Sequence, residues 1–179
     1  MKTLTLLRHA KSAWDDPVAR DFDRPLNTRG RRAAQTIGRE MRSQGLMFDQ
    51  VIASPAVRVV ETLDDVSIGY GRAFDATFDK RIYLASTDTL LDVIHGAADA
   101  TGRLLIVGHN PGLERLALLL TREGDLRAEV AVKYPTATLA EIELPVERWA
   151  EVSEEIGTLS RFIRPRDLDP GLGPDEDSY

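Results

Sequence analysis

The sequence predicts an α/β fold, a three-layer α/β/α sandwich with a mostly parallel sheet. Short apolar runs alternate along the chain with amphipathic helical patterns, which is typical of a parallel sheet covered by helices on both faces. The apolar run at 104–107 contains no polar residue, as in strands that are buried on both sides. A length of 179 residues suits one domain.

The first part of the chain is interpreted as a strand, a loop and a helix. Residues 4–7 form a short apolar run flanked by threonines, which predicts the first strand. Residues 10–26 have no regular period and are expected to form a loop. Thr28 can cap a helix that follows it. The helix is predicted because small and apolar residues then recur at the spacing of one helical face. The positions on that face are Gly30, Ala33, Ala34, Ile37 and Met41.

The middle of the chain repeats the pattern of a strand followed by a capped helix. Residues 51–53 predict a strand, Ser54 is expected to cap the next helix, and Pro55 is expected to take its first position. Residues 74–83 are expected to be extended and irregular. An amphipathic helix is predicted over 90–98.

The last elements continue the alternation. Asn110 and Pro111 repeat the cap-and-proline signal directly after the strand at 104–107, and a helical apolar stripe follows them. Residues 136–144 alternate as a strand, and a final strand is expected over 157–163.

Composition excludes several classes of protein. Hydrophobic residues make up 42% and charged residues 29% of the chain, as in ordinary globular domains. The absence of cysteine excludes a disulfide framework, a thiol nucleophile and any thiolate metal site. No apolar run approaches the ~18 residues of a membrane span, and Arg8 interrupts any signal-peptide core, so a cytoplasmic protein is expected.

The net charge of −6 is concentrated at the C-terminus. Residues 166–179 contain five acidic residues and one arginine, so the rest of the chain is nearly neutral. Without a basic excess, neither nucleic acid nor an anionic membrane is an expected partner. The predicted domain covers residues 1–165, and the acidic tail at 166–179, rich in proline and glycine, is expected to be dispensable for chemistry.

Polar groups follow three of the predicted strands. Arg8 and His9 end the first strand, and Arg58 lies one helical turn beyond the second. His109 directly follows the fully apolar strand. Because ligands bind beyond the carboxyl ends of strands in such sheets, these four residues are expected at one edge, beside two helix N-termini. The combination favours a small anion, and the planar fork of arginine suits phosphate in particular.

Each of these residues also has a purely structural interpretation. A single arginine at a strand end is most often solvated, and a single histidine near a helix cap is often only a local hydrogen-bond partner. Their shared position at one edge favours a function. His95, beside an apolar helical stripe, is interpreted as structural, and Trp14 and Trp149 fit either the core or a pocket wall.

Four segments, in this order and spacing, carry a resemblance to a known family: LLRHAKSAW, RPLNTRG, ASPAVRVVET and IVGHNPG. They resemble the histidine phosphatase superfamily, with its phosphoglycerate-mutase-like fold, and more narrowly its short SixA-type phosphohistidine phosphatases. The resemblance covers residues 2–165. It implies that His9 is the nucleophile and that Arg8 and Arg58 bind phosphate. His109 would be the second catalytic histidine.

The resemblance implies a two-step transfer through a phosphohistidine enzyme intermediate, without a cofactor or a metal. A cationic neighbourhood lowers the pKa of a histidine from about 6.5, which keeps His9 neutral as the attacking group. His9 would attack phosphorus in line, and water would then hydrolyse the intermediate. Arg8, Arg58 and His109, the last as an imidazolium, would stabilise the charge on the three equatorial oxygens.

Two positions depart from the family pattern. Many relatives have glycine where this chain has Ala10, which alters the turn after the nucleophile. Larger mutase-type relatives have asparagine where this chain has Asp15, and a carboxylate there would repel phosphate. The hydroxyl of Ser12 falls where it could instead donate to a phosphate oxygen, so Ser12 is a candidate phosphate-binding residue.

The source of a proton for the leaving group stays open. Mutase-type relatives use a carboxylic acid after the second arginine segment, whereas this chain has none there before Asp88, with Glu114 as the other candidate. Imidazole leaves more easily than an alkoxide, because its conjugate acid titrates near ~6.5. A site without an acid therefore favours a phosphohistidine-bearing protein as substrate. The alternatives are a phosphatase or mutase of a small phosphate ester, and a non-catalytic phosphate-binding module, which the presence of His9 disfavours.

Overall fold

The computed structural model describes residues 1–14 and 20–173 of the chain. Within them, the strands are β1 (Lys2–Arg8), β2 (Gln50–Ala53), β3 (Ala76–Phe78), β4 (Arg103–Gly108), β5 (Leu139–Leu144) and β6 (Thr158–Ile163). They form one sheet in the order β3-β2-β4-β1-β5-β6. The first four strands in this order are parallel. At the other end of the sheet, β5 pairs antiparallel with β1, and β6 pairs antiparallel with β5. The predicted mostly parallel sheet is confirmed.

The helices of the described residues cover both faces of the sheet. They are α1 (Thr28–Ser43), α2 (Val57–Tyr70), α3 (Thr87–His95), α4 (Gly112–Leu120), α5 (Asp125–Val132) and α6 (Pro165–Leu168). Leu104 and Ile106 of β4 belong to the apolar cluster that contains the buried residues of α3 and α4. Leu105 and Val107 belong to the cluster of α1 and α2. The three-layer sandwich is therefore confirmed. None of these helices is long and apolar enough to cross a membrane.

The predicted start of α2 is wrong by two residues. The helix begins at Val57 after Ala56, instead of being capped by Ser54 with Pro55 in its first position. The Ser54 hydroxyl accepts a hydrogen bond from His109 Nε2 at 2.8 Å. A polar residue that the sequence assigns to a helix end is therefore bonded to a histidine at the edge of the sheet.

The caps of two other helices differ in detail from the predictions. Asn27 rather than Thr28 caps α1, since its side chain accepts from the Gly30 N–H at 2.7 Å. At α4, the Asn110 side chain accepts from the Glu114 N–H at 3.1 Å, as the cap signal predicts.

Two short elements were not predicted because they bury few apolar side chains. Strand β3 lies inside the stretch expected to be irregular and is largely exposed. In α5, Val130 is the single buried residue of the helix, so the sequence shows no apolar stripe there.

Part of the predicted acidic tail is packed against the domain. Leu172 is buried in the apolar cluster of α1 and α2, and Arg32 of α1 forms an ion pair with Asp169. Residues 166–173 therefore contribute to the packing on α1. Residues 174–179 and Asp15 lie outside the described residues.

Candidate active site

The two central strands bring both catalytic histidine candidates to one edge of the sheet. Strands β1 and β4 are parallel neighbours with Arg8 opposite Gly108, and the His9 N–H donates to the Gly108 carbonyl at 3.1 Å. His109 follows Gly108 directly, and the ring centroids of His9 and His109 are 5.4 Å apart. Both residues are buried, so one small group can contact both rings in a shielded site.

A hydrogen bond fixes the tautomer of His9. Its Nδ1 lies 2.7 Å from the Ala10 carbonyl oxygen, which can only accept, so Nδ1 carries the proton and Nε2 keeps its lone pair. Burial holds the pKa of His9 well below its usual range, and the positive charge of Arg8 adds to this effect. His9 is therefore a neutral imidazole at neutral pH, with Nε2 as its nucleophilic atom.

The alanine after His9 fits its position without strain. Ala10 does not adopt the left-handed backbone conformation that favours glycine, and its N–H donates to Thr62 Oγ1 at 2.9 Å. Thr62 Oγ1 in turn donates to the Arg58 carbonyl at 2.6 Å. Thr62, which ends the ASPAVRVVET segment, thus connects the loop after His9 to α2. The turn after His9 does not require glycine.

A glycine of the RPLNTRG segment also supports this loop. A Cβ atom at Gly30 would lie 2.1 Å from the Lys11 carbonyl oxygen, so glycine permits the close approach of α1. The Asn27 N–H donates to the same carbonyl at 3.1 Å. The N-terminus of α1 therefore holds the chain two residues after the nucleophile.

His109 is neutral before a phosphoryl group binds, and its imidazolium form in the transition state, which the resemblance implies, stays a prediction. Arg58 Nη2 lies 3.3 Å from His109 Nδ1, and because a guanidinium only donates, Nδ1 accepts and the proton resides on Nε2. Nε2 donates to Ser54 Oγ at 2.8 Å. Burial, reinforced by the charge of Arg58, lowers the pKa of His109 to about 3. A phosphoryl dianion beside the ring would shift this pKa upward.

Both arginines predicted to bind phosphate are buried at the same edge. Arg58, in the first turn of α2, donates through Nη1 to the Asp21 carbonyl at 2.7 Å and through Nη2 to Asp21 Oδ2 at 3.0 Å. Its Nε is buried and has no hydrogen-bond partner among the described residues. Arg8 donates through Nη1 to the Tyr134 carbonyl at 2.9 Å. The structure thus brings together His9, Arg8, Arg58 and His109, the residues that the sequence analysis places at this edge.

A third buried arginine, Arg24, belongs to this cluster and was not predicted. Its Nε lies 3.2 Å from Asp21 Oδ1, and its guanidinium carbon lies 3.2 Å from the ring centroid of Trp14. Its Nη1 is buried and has no hydrogen-bond partner in the described part of the chain. Arg24 opens the RPLNTRG segment, and this position is the signal that could have identified it.

Asp21 and Tyr83 are the other two site residues that the sequence analysis missed. The Tyr83 hydroxyl donates to Asp21 Oδ2 at 2.5 Å, and its ring lies edge-on to His109 with centroids 5.4 Å apart. Burial opposes the charge on Asp21, but the hydrogen bond from Tyr83 and the charge of Arg58 outweigh it and lower the pKa of this carboxyl. Asp21 is therefore ionised at neutral pH.

Ser12 is buried three residues after His9 in the chain. It forms an isolated antiparallel bridge with Leu26. Within residues 1–14 and 20–173, no hydrogen bond joins its hydroxyl to the histidines or arginines of the site. Its role in binding phosphate stays a prediction.

The two candidate acids of the sequence analysis occupy different places. Glu114, in the first turn of α4, lines a cavity that Arg8 and Asn110 also line. Asp88 is exposed in the first turn of α3, and no contact with the site residues occurs in the described ranges. Among the described residues, no group of three or more His, Asp or Glu side chains is arranged to hold a metal ion.

The remaining histidine and the two tryptophans have distinct environments. His95 Nε2 donates to the Val152 carbonyl at 2.7 Å, which fits a structural role. Trp149 is fully buried in the core, and its indole N–H donates to the Thr101 carbonyl at 2.8 Å. Trp14, by contrast, is 60% exposed and covers Arg24, so it forms part of the wall of the site.

These features define an α/β protein with two buried histidines beside buried arginines at one edge of its sheet. Comparison with known proteins identifies the family. Residues 4–82 match the model of the histidine phosphatase superfamily (branch 1). An uncharacterized protein of Mycobacterium tuberculosis is 35% identical over 164 residues, which cover 89% of this chain and 100% of that protein. The chain belongs to the histidine phosphatase superfamily.

Solved structures agree with this family. A candidate phosphohistidine phosphatase SixA from Agrobacterium tumefaciens has a TM-score of 0.78 at 28% identity, covering 92% of this chain and 98% of that one. A second candidate SixA, from Nakamurella multipartitia, has a TM-score of 0.77 at 25% identity, covering 92% and 96%. The predicted phosphoglycerate-mutase-like fold and the resemblance to the SixA type are confirmed.

Proposed function

We propose that this chain is a protein phosphohistidine phosphatase that works through a phosphohistidine intermediate on His9. The observation that carries the proposal is the unprotonated Nε2 of His9 beside buried guanidinium groups of Arg24 and Arg58 that keep donors without partners in the described residues. A buried donor without a partner typically costs ~1–3 kcal/mol. Such donors next to a nucleophile support an anionic ligand at this place.

The first step transfers the phosphoryl group to His9. The lone pair of Nε2 forms the bond to phosphorus while the P–N bond of the substrate breaks in line with it, and the electron pair of that bond stays on the ring nitrogen of the leaving imidazole. Nδ1–H keeps its hydrogen bond to the Ala10 carbonyl, which supports the positive charge that the ring acquires. Arg8 and Arg58 offset the negative charge of the phosphoryl oxygens.

The second step returns the enzyme to its starting state. Water attacks phosphorus, the bond between phosphorus and Nε2 breaks, and its electron pair returns to His9. The product is inorganic phosphate, and His9 is again the neutral Nδ1–H tautomer that the structure shows.

The ionised state of Asp21 favours a substrate that leaves as imidazole. Asp21 contacts Arg58, but its pKa is lowered, so it has no proton to give at neutral pH. Imidazole needs less protonation on leaving than an alkoxide does. Glu114, which lines the cavity of Arg8, is the observation that favours the second candidate, a phosphatase of small phosphate esters.

A paired turnover assay tests the proposal. A phosphohistidine peptide and glycerol phosphate are compared at equal enzyme concentration, with wild type, His9→Ala and Glu114→Gln. We expect kcat/KM on the peptide to exceed that on the ester by at least about 100-fold, the usual contribution of a positioned general acid. Glu114→Gln should keep the peptide activity, and His9→Ala should lose it.

Two outcomes would contradict the proposed substrate or the proposed intermediate. Comparable efficiency on glycerol phosphate, lost in Glu114→Gln, would identify an ester phosphatase with Glu114 as its acid. A rapidly quenched wild-type reaction that shows no alkali-stable, acid-labile phosphoenzyme, while turnover continues, would remove His9 as the covalent nucleophile.

A further inference from the structure

We infer that Asp21 is a positioning residue, whose carboxylate holds Arg58 and Arg24 on their outer sides so that their remaining donors are kept for one phosphoryl group. The inference rests on the proposed phosphate site and adds a residue to it. It concerns a carboxylate, a group that on its own would repel a phosphate.

Arg58 is held through both of its terminal nitrogens. Nη1 donates to the Asp21 backbone carbonyl at 2.7 Å, and Nη2 donates to Asp21 Oδ2 at 3.0 Å. Two bonds to the same residue fix the plane of the guanidinium. The direction of the buried Nε–H, which has no partner among the described residues, is fixed with it.

Arg24 forms an ion pair with the second oxygen of the same carboxylate. Its Nε lies 3.2 Å from Asp21 Oδ1, and its buried Nε and Nη1 both lack a hydrogen-bond partner in the described ranges. One carboxylate therefore bridges two arginines, and each arginine retains a buried donor. The bridge also offsets the repulsion between two guanidinium groups that are packed close together.

Tyr83 fixes the carboxylate itself. Its hydroxyl donates to Asp21 Oδ2 at 2.5 Å, and its ring packs edge-on against Phe22, with centroids 5.1 Å apart. Phe22 is the neighbour of Asp21 in the same 3₁₀ turn. The turn at 21–23 is thereby attached to the segment that follows β3.

Exposure places Asp21 on the solvent side of the arginines. Its side chain is 41% exposed, whereas those of Arg58 and Arg24 are 3% and 5% exposed. The donors without partners are the buried ones. A phosphoryl group that binds them therefore enters on the inner side, where His9 and His109 lie, and does not have to replace the carboxylate.

The charges of the cluster suit an anion. Among the described residues, Arg24 and Arg58 both pair with the single carboxylate of Asp21, so these three side chains keep a net positive charge. Asp21 therefore orders the arginines without cancelling the attraction to the ligand.

The test is the affinity for inorganic phosphate, measured by calorimetry on wild type, Asp21→Asn and Asp23→Asn. Asparagine has the same shape as aspartate but no charge. Its amide N–H₂ can only donate, so it cannot accept the hydrogen bonds that a carboxylate oxygen accepts at this position. We expect Asp21→Asn to weaken phosphate binding at least about tenfold and to raise KM by a similar factor, with a smaller change in kcat. Asp23→Asn is the matched control, because Asp23 lies in the same turn but pairs with the exposed Arg20.

Each other outcome is decisive. Unchanged phosphate affinity in Asp21→Asn overturns the inference, and so does a kcat that falls while the affinity stays constant. Tighter binding overturns it as well, because Asp21 would then be a competitor of phosphate. A wild type that binds no phosphate removes the proposed function instead.

Tyr83→Phe keeps the test decisive should Asp21→Asn fail to fold. This variant removes the anchor of the carboxylate but leaves every charge in place. We expect a loss of about threefold in phosphate affinity, because the carboxylate keeps its charge but loses one of the bonds that orient it. An affinity equal to that of wild type would overturn the inference.

Discussion

Replacing Arg24 by methionine separates a role in binding the anion from a role in holding the fold. Methionine is unbranched and adaptable, so it can keep the packing under Trp14 while removing the charge and every N–H donor. In the unliganded protein, the buried Nη1 of Arg24 has no hydrogen-bond partner among the described residues. A phosphoryl oxygen would supply that partner.

The expected changes in activity and stability therefore have different signs. Loss of one charge-assisted hydrogen bond to the phosphoryl group costs ~1.5–3 kcal/mol, which lowers kcat/KM about ten- to 150-fold. Removing the unpaired donor relieves ~1–3 kcal/mol of desolvation in the folded state. The contacts with the partly exposed Asp21 and with Trp14 are worth at most ~1 kcal/mol each. The free energy of unfolding should stay within ~1 kcal/mol of wild type, or rise.

Both quantities are measured on the same preparation. Urea unfolding gives the stability, and turnover of a phosphohistidine peptide gives kcat/KM. Arg72→Met is the control, because Arg72 is an exposed arginine outside the site. A fall in kcat/KM of less than about threefold, or a loss of more than ~2 kcal/mol in stability, would refute the assignment of Arg24 to the anion site.

Further outcomes depend on the histidines and on the loop after His9. His9→Ala should abolish turnover with a nearly unchanged thermal midpoint at pH 7, and a residual rate above a few per cent of wild type would reject it as the nucleophile. Because His9 and His109 have lowered pKa values, the unfolded chain binds more protons below about pH 6, so the free energy of unfolding should fall by up to about 2.7 kcal/mol per pH unit between about pH 6 and pH 5, above the range in which Asp21 contributes. His9→Ala should halve this slope in urea titrations, and an unchanged slope would contradict the neutral state of His9. Gly30→Ala places a Cβ 2.1 Å from the Lys11 carbonyl oxygen, so it should lower the free energy of unfolding by about 1–3 kcal/mol and also lower kcat/KM. Gly124→Ala, with open space around the added Cβ, should change neither quantity.

The edge of the sheet that holds the site was predictable because it depends on regular elements. Arg8, His9 and His109 follow apolar runs, and parallel strands end at the same edge. The position of Arg58 was predicted from its distance along the chain from the second strand. This prediction does not depend on the exact residue at which α2 begins. The spacing of the apolar residues was therefore enough to predict that these four residues lie at the same edge of the sheet.

The rest of the cluster could not be predicted because it comes from irregular segments. Asp21 and Arg24 lie in the stretch between β1 and α1, and Tyr83 lies between β3 and α3, where no period assigns a direction to a side chain. The bond between Tyr83 and Asp21 joins residues 62 positions apart. The local capping preference predicted that Ser54 would accept a hydrogen bond from a backbone N–H at the start of α2. In the structure its hydroxyl instead accepts a hydrogen bond from the buried ring of His109.

The packed part of the C-terminal segment changes how the dispensability of the tail must be tested. Truncation after Arg166 removes Leu172, which is buried on the α1 face, and Asp169, which pairs with Arg32. Burial of a leucine side chain contributes ~1.5–3 kcal/mol, so this variant should lose about 3–12 °C in its thermal midpoint. Truncation after Gly173 removes three acidic residues and leaves this packing intact.

We expect the chain that ends at Gly173 to match wild type in thermal midpoint and in phosphatase rate at every salt concentration. The opposing hypothesis is that the acidic residues compete with phosphate for Arg8 and Arg58. Such competition would appear as a several-fold gain in rate at low salt that vanishes near ~1 M, where the screening length is ~3 Å. Comparison of the two truncations separates the effects, because a loss of packing lowers the midpoint whereas a loss of competition raises the rate. A gain in the longer variant would establish an inhibitory tail.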